Sequence, residues 1–154
     1  MADREKDFAE WADSVSYALY FHRAAVSDAL NLPVTVVTQL SEEIANLAAH
    51  ERRQIRKHLT RLLAHLLKWR YCRPAALHAH GDRWRKTMRN SRDEISEVLK
   101  FSPSLEQYLA EYATDLYPRA AMEVSDQTGV AQSAFPAACP WNVEQILLSE
   151  PWVF

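Results

Sequence analysis

Glycine is nearly missing from this chain: only Gly81 and Gly129 occur in 154 residues. Strand-rich folds need glycine at hairpins and bulges, whereas long helices use it mainly just past their ends. Cysteine is as scarce. Cys72 and Cys139 stand alone, with no C-x-x-C spacing, and read as two free thiols in a reducing compartment. A chain of this length buries roughly 68–70% of its unfolded surface, so it needs no disulfide or metal to fold. Long apolar runs are also missing. No stretch approaches the roughly 18 apolar residues of a membrane span. The opening Met-Ala-Asp-Arg-Glu-Lys-Asp has no apolar signal core. The expectation is a cytoplasmic chain that does not engage a membrane.

The usual chemical motifs are absent too. There is no glycine-rich phosphate loop and no G-x-S-x-G elbow. Among the six histidines there is no E-x-x-H or H-x-x-x-H pair. His58 and His65 lie seven residues apart, about 10.5 Å along a helix, too far to share an ion held by bonds of about 2 Å. His78 and His80 with Cys72 would make at most an adventitious loop site. Neither a metal, a cofactor nor a catalytic residue is expected, and the balance is against an enzyme.

What is present is helical periodicity. Hydrophobic residues make up 48% and charged residues 25%, ordinary for a globular protein. A first helix spans about Arg4 to Asp28, with Phe8, Trp11, Ala12, Val15, Ala18, Leu19 and His22 on one face. A second and longest runs from about Thr35 to Tyr71, with a stripe of Leu40, Ile44, Leu47, Glu51, Ile55, Leu59, Leu62, Leu66 and Trp69. Between Leu59 and Leu67 its apolar arc widens, which marks the central element. Pro74 to Gly81 reads as a loop. A third helix covers about Asp82 to Phe101, with Trp84, Met88, Ser91, Ile95, Val98 and Leu99 inward. Ser102-Pro103 then reads as an N-cap with proline at the first helical position. The fourth helix carries Leu105, Tyr108, Leu109, Tyr112 and Leu116, is kinked or split at Pro118, and ends at Gly129. In the tail, Asn142 and Gln145 form a capping-box pattern that opens a short helix through Leu148. The expected architecture is one all-α domain over residues 1–154. Four main helices form an antiparallel bundle, and the tail, 130–154, packs on it.

Charge is segregated although the net is only −2. Residues 1–50 carry three basic and eight acidic side chains. Residues 51–92 carry thirteen basic and two acidic, and residues 93–154 two basic and ten acidic. On the second helix Arg53, Lys57, Arg61 and Lys68 fall opposite Leu62 as a basic ridge, and Arg83, Arg85, Lys86, Arg89 and Arg92 follow on the third. One reading is a phosphate-contacting surface for nucleic acid. The simpler one is mutual neutralisation of basic middle helices by acidic outer ones, and the acidic pI of 6.3 favours it.

Glu51 is the oddity of the stripe, because a carboxylate on a buried face is costly unless paired. Arg85 or Arg89 could pair with it to fix helix register, the preferred reading. The sharper one is a ligand or acid/base site that joins Glu51 with His65 and Trp69.

Several segments carry a resemblance. Ser41-Glu-Glu-Ile44, Glu51-Arg-Arg53 and Leu62-Leu-Ala-His65-Leu-Leu-Lys-Trp69 resemble a bacterial family known as domain of unknown function 29. Phe8-Ala-Glu-Trp11, Trp84-Arg-Lys-Thr87 with Arg89, Ser102-Pro-Ser-Leu105, Phe135-Pro136 and Cys139-Pro-Trp-Asn-Val-Glu-Gln-Ile146 follow in the same order. The resemblance covers nearly the whole chain. It implies an almost wholly helical protein and no defined activity. It marks Glu42, Glu43, Glu51, His65, Trp69, Trp84, Arg85 and Arg89 as family-like positions.

The leading functional expectation is a small helical interaction module without catalysis, binding a protein partner or itself. The alternatives are a nucleic-acid-binding accessory protein using residues 52–92, and a ligand or enzymatic site around Glu51 and His65.

Overall fold

The computed structural model describes residues 3–147. The fold is all-α, as expected. The helices are α1 (Phe8–Phe21), α2 (Arg23–Leu30), α3 (Val34–Tyr71), α4 (Pro74–Phe101), α5 (Leu109–Thr128) and the short α6 (Val143–Leu147). Single 3-10 segments cover Pro103–Tyr108 and Gln132–Ala134, and no strand occurs among the described residues. Leu148, the expected last residue of the short helix, lies outside the described residues.

The chain forms two compact units. One comprises the residues up to Gln54 together with Val98–Glu106; the other comprises Ile55–Glu97 together with the residues from Gln107 onward.

In the N-terminal unit the expected first helix is two helices, because the backbone leaves helical geometry at His22 (φ −99°, ψ 18°). Asn31 then ends α2 in the left-handed region at φ 51°, which asparagine tolerates better than most residues. The expected inward stripe is displaced as well. Leu40 and Leu47 are exposed, while Val37, Ser41 and Ala48 are buried. At about 100° per residue the buried line lies about 90° around α3 from the two leucines. Ala9 and Ala12 are the buried residues of α1 besides its cap. Small side chains, not the large ones, therefore form the inward faces, because they permit close backbone approach. Arg52 of α3 forks onto the carboxylate of Asp13 on α1 and ties the two helices.

The start of α1 is cross-capped. Asp7 accepts from the Glu10 amide at 2.9 Å, the ordinary N-cap bond. It also accepts from the Ser104 amide at 2.6 Å and the Ser104 hydroxyl at 3.0 Å. Ser102, expected to cap its own following helix through its side chain, instead accepts from the Ala9 amide of α1 at 3.1 Å. Each helix start thus borrows an acceptor from the other's segment.

The C-terminal unit has the core that the sequence pattern marked. Leu59, Leu62, Leu63, Ala64, Leu66 and Leu67 of α3 are all buried, with Trp84, Met88 and Ile95 of α4 and Leu109, Leu116, Tyr117, Ala120 and Val124 of α5. The expected loop over Pro74 to Gly81 is helix. Pro74 occupies the first helical position, where its missing amide costs nothing. Gly81 sits buried inside α4, beside Trp69 and Leu77. Pro118 does not split α5. Its ring is exposed, while Tyr117, Ala120, Ala121 and Val124 around it are buried. That burial offsets a proline penalty of about 3 kcal/mol. Gly129 closes α5 in the left-handed region at φ 71°, as expected.

Residues 130–147 of the tail pack within this unit. Phe135, Trp141 and Ile146 are buried. Phe135 meets Tyr71 edge-on at 5.8 Å, and the Tyr117 hydroxyl donates to the Pro136 carbonyl at 2.8 Å. The Asn142–Gln145 capping box forms in both directions, at 3.0 and 2.8 Å.

Candidate functional site

The N-terminal unit holds a cleft of about 630 Å³ lined by Arg4, Glu5, Phe8, Glu51 and Phe101. The cross-capping by Asp7, Ser102 and Ser104 brings the start of α1 to the end of α4, and so brings Phe8 and Phe101 to one cleft. The Phe8 and Trp11 rings lie tilted by 30° with centroids 5.9 Å apart, and the Arg4 guanidinium lies over the Trp11 ring at 5.7 Å. Phe101 is 62% exposed. Glu51 is half-buried at the wall. Its neighbour Arg52 pairs with Asp13 and ties α3 to α1. The cleft therefore gathers the carboxylates of Glu5 and Glu51, the Arg4 side chain and two phenylalanines.

The same unit exposes most of the large apolar side chains that face solvent. Tyr17, Tyr20 and Phe21 on α1 are at least half exposed, and Leu30, Leu32, Val34, Leu40 and Leu47 are exposed as well. Tyr17 and Phe21 stack one turn apart at 5.9 Å. Arg23 covers Tyr20 at 4.4 Å and donates to its carbonyl at 2.7 Å.

The remaining sequence candidates fall elsewhere. His65 does not line the Glu51 cleft. It lies fourteen residues further along α3, in the C-terminal unit. Its Nδ1 meets the Arg61 carbonyl at 2.8 Å. Burial lowers its pKa, against that hydrogen bond. Trp69 is half-buried, with the Arg85 guanidinium over its ring at 5.3 Å. Trp84 is a core residue, and Arg89 is exposed on α4. Of the basic ridge, Arg53, Lys57 and Arg61 are exposed. Lys68 leaves it: the side chain is buried and donates to Gln127 Oε1 at 2.6 Å. Other cations of the basic stretch are committed too. Arg56 covers Tyr112 at 4.9 Å, and Arg92 donates to the Ile146 carbonyl at 3.0 Å.

Phe101, Arg4 and the cross-capping serines were not marked as site residues by sequence reasoning. Asp7 with Glu10 three residues later is a legible N-cap signature. The pairing of residues 7 and 104 has no local signal.

A family model described as "Domain of unknown function DUF29" matches residues 4–153, nearly the entire chain. The chain belongs to this family. No curated protein and no solved structure matches it. Membership in DUF29 agrees with the resemblance carried by the Glu51 and His65 segments and with the all-α fold. Among the described residues of this DUF29 chain, no helix is long and apolar enough to cross a membrane.

Proposed function

We propose that the N-terminal unit is a docking module for a cationic amphipathic helix of a partner protein, and that it binds without catalysing a reaction. The observation that carries this reading is the set of exposed aromatic and aliphatic side chains on α1, α2 and the first half of α3. Exposed apolar groups in such number mark interaction surfaces, and an amphipathic helix laid on an apolar surface is a recurrent recognition mode. Charge supports the choice of partner. Residues 1–50 carry eight acidic and three basic side chains. The cleft sets Glu5 and Glu51 beside Phe8 and Phe101, a setting that suits a lysine or arginine through both ion pairing and ring faces.

The test uses two labelled helical peptides with the same leucine face, one with lysine and one with glutamate on the polar face. Fluorescence anisotropy should show binding of the lysine peptide alone. Glu51→Gln and Phe101→Ala should each weaken it roughly fivefold, a loss of about 1 kcal/mol. Equal binding of both peptides, or of neither, overturns the reading. So does a stable dimer in light scattering that Phe101→Ala dissociates, which would make a second copy the occupant.

A nucleic-acid surface is the second reading, supported by the exposure of Lys57 and Arg61 one turn apart in the C-terminal unit. It requires oligonucleotide binding that falls steeply with salt. No binding at low salt ends it.

A further inference from the structure

Lys68 sits near the end of α3 with 9% of its surface exposed. A buried ammonium needs acceptors for three protons. Its Nζ donates to Gln127 Oε1 at 2.6 Å. Gln127 Nε2 in turn donates to Glu123 Oε1 at 3.0 Å. The amide thus joins the lysine to a carboxylate without direct contact. Both hydrogen-bonding atoms of the Gln127 side chain are thereby engaged, and the lysine is held in one orientation.

Lys68 borders a cavity of about 300 Å³, whose walls include His80, Arg83, Trp84 and Thr128. Burial lowers the Lys68 pKa; Glu123 and Cys72 oppose this, and the Arg83 charge adds to it. Two cations therefore face one recess and repel each other there. The His80 ring rests against Trp84 at 5.9 Å. The Thr128 hydroxyl is already donated to the Val124 carbonyl at 2.6 Å. The groups that converge on the recess with hydrogens to give are Lys68, Arg83 and His80.

We propose that this cavity binds a phosphate group, free or as the monoester of a small molecule, between Lys68 and Arg83 with His80 as a third donor. An oxyanion between the two cations turns their repulsion into attraction. A tetrahedral group offers an oxygen to each of three donors, where a carboxylate offers two. The volume exceeds what one phosphate fills and leaves room for a substituent alongside Trp84. Lys68 is held inside a recess, not along a ridge, so the site suits a terminal phosphate and not a polymer backbone.

The test is calorimetric titration of the full chain with inorganic phosphate, phenyl phosphate and an oligonucleotide lacking terminal phosphates. Inorganic phosphate and phenyl phosphate should bind at one site. Arg83→Gln and Lys68→Met should each weaken binding at least tenfold, a loss of about 1.4 kcal/mol or more. Lys86→Gln, on the same helix and exposed, should leave it unchanged. Arg83 is itself exposed, so its variant keeps the fold and decides the matter if Lys68→Met does not fold. Absence of phosphate binding, or unchanged affinity in Arg83→Gln, overturns the proposal. So does oligonucleotide binding as tight as that of phenyl phosphate. Each of these results leaves the reading of the N-terminal unit untouched.

Discussion

The Asp7 carboxylate accepts both the amide and the hydroxyl of Ser104, at 2.6 and 3.0 Å, across 97 residues of sequence. Asp7 also caps its own helix at Glu10 and is buried. Removing it strips one helix start of its cap and takes the carboxylate from the half-buried Ser104 amide and hydroxyl. Single caps are worth about 0.5–2 kcal/mol, and hydrogen bonds to charged groups about 1.5–3. Asp7→Ala should therefore lower unfolding free energy by about 2–3 kcal/mol in urea titrations. A loss below about 0.5 kcal/mol, the usual bound for a surface substitution, would contradict the cross-capping.

Gly81 lies within α4 at an ordinary helical position. A Cβ there would meet Trp69 at 3.5 Å and Leu77 at 3.6 Å, normal van der Waals contact. Gly81→Ala should stabilise the chain by about 0.5–1 kcal/mol through lower unfolded-state entropy. Thermal unfolding would show this as a raised midpoint.

Pro118 removes a hydrogen bond from the middle of α5, and its exposed ring buries little in return. Pro118→Ala should stabilise α5 by about 1–3 kcal/mol. A destabilised Pro118→Ala variant would mean that the proline sets a geometry on which Tyr117 and its bond to Pro136 depend.

Buried His58 and half-buried His65 set a pH dependence. Burial lowers the pKa of His58; Glu94 opposes this, and Lys57 and Arg61 add to it. His58 Nδ1 has no hydrogen-bond partner among the described residues. Burial lowers the pKa of His65 as well, with the Arg61 carbonyl and Glu123 opposing and Lys68 and Arg61 adding. Folded pKa values below the unfolded value of about 6.5 mean that the unfolded chain binds more protons in that window. Stability is then full above about pH 6.5 and declines as pH falls toward the folded values. Urea midpoints between pH 7.5 and 5 should fall, and His58→Leu should flatten the slope.

These residues also show what the sequence made legible. The C-terminal core was readable because Leu59 to Leu67 is apolar on most sides, so any inward face gives the same answer. The first half of α3 was not, because Leu40 and Leu47 compete with Val37, Ser41 and Ala48 for the inward face. Periodicity alone favours the larger side chains, while close approach favours the smaller ones. Pro74 and Gly81 suggested a loop by composition, yet proline is at home in a first helical turn and a packed core tolerates one helical glycine. Glu51 stood out in the stripe, and it lies half-buried on a cleft wall. Its cleft needs Arg4 and Phe101, brought to it by the Asp7–Ser104 and Ala9–Ser102 contacts.

The most direct test of docking at the N-terminal unit is an amide and aromatic NMR titration of the chain with the lysine-faced amphipathic peptide. Shifts should concentrate at Phe8, Tyr17, Tyr20, Phe21, Glu51 and Phe101. Shifts confined to residues after Gln107, or spread evenly over both units, would contradict the assignment of the docking surface to this unit.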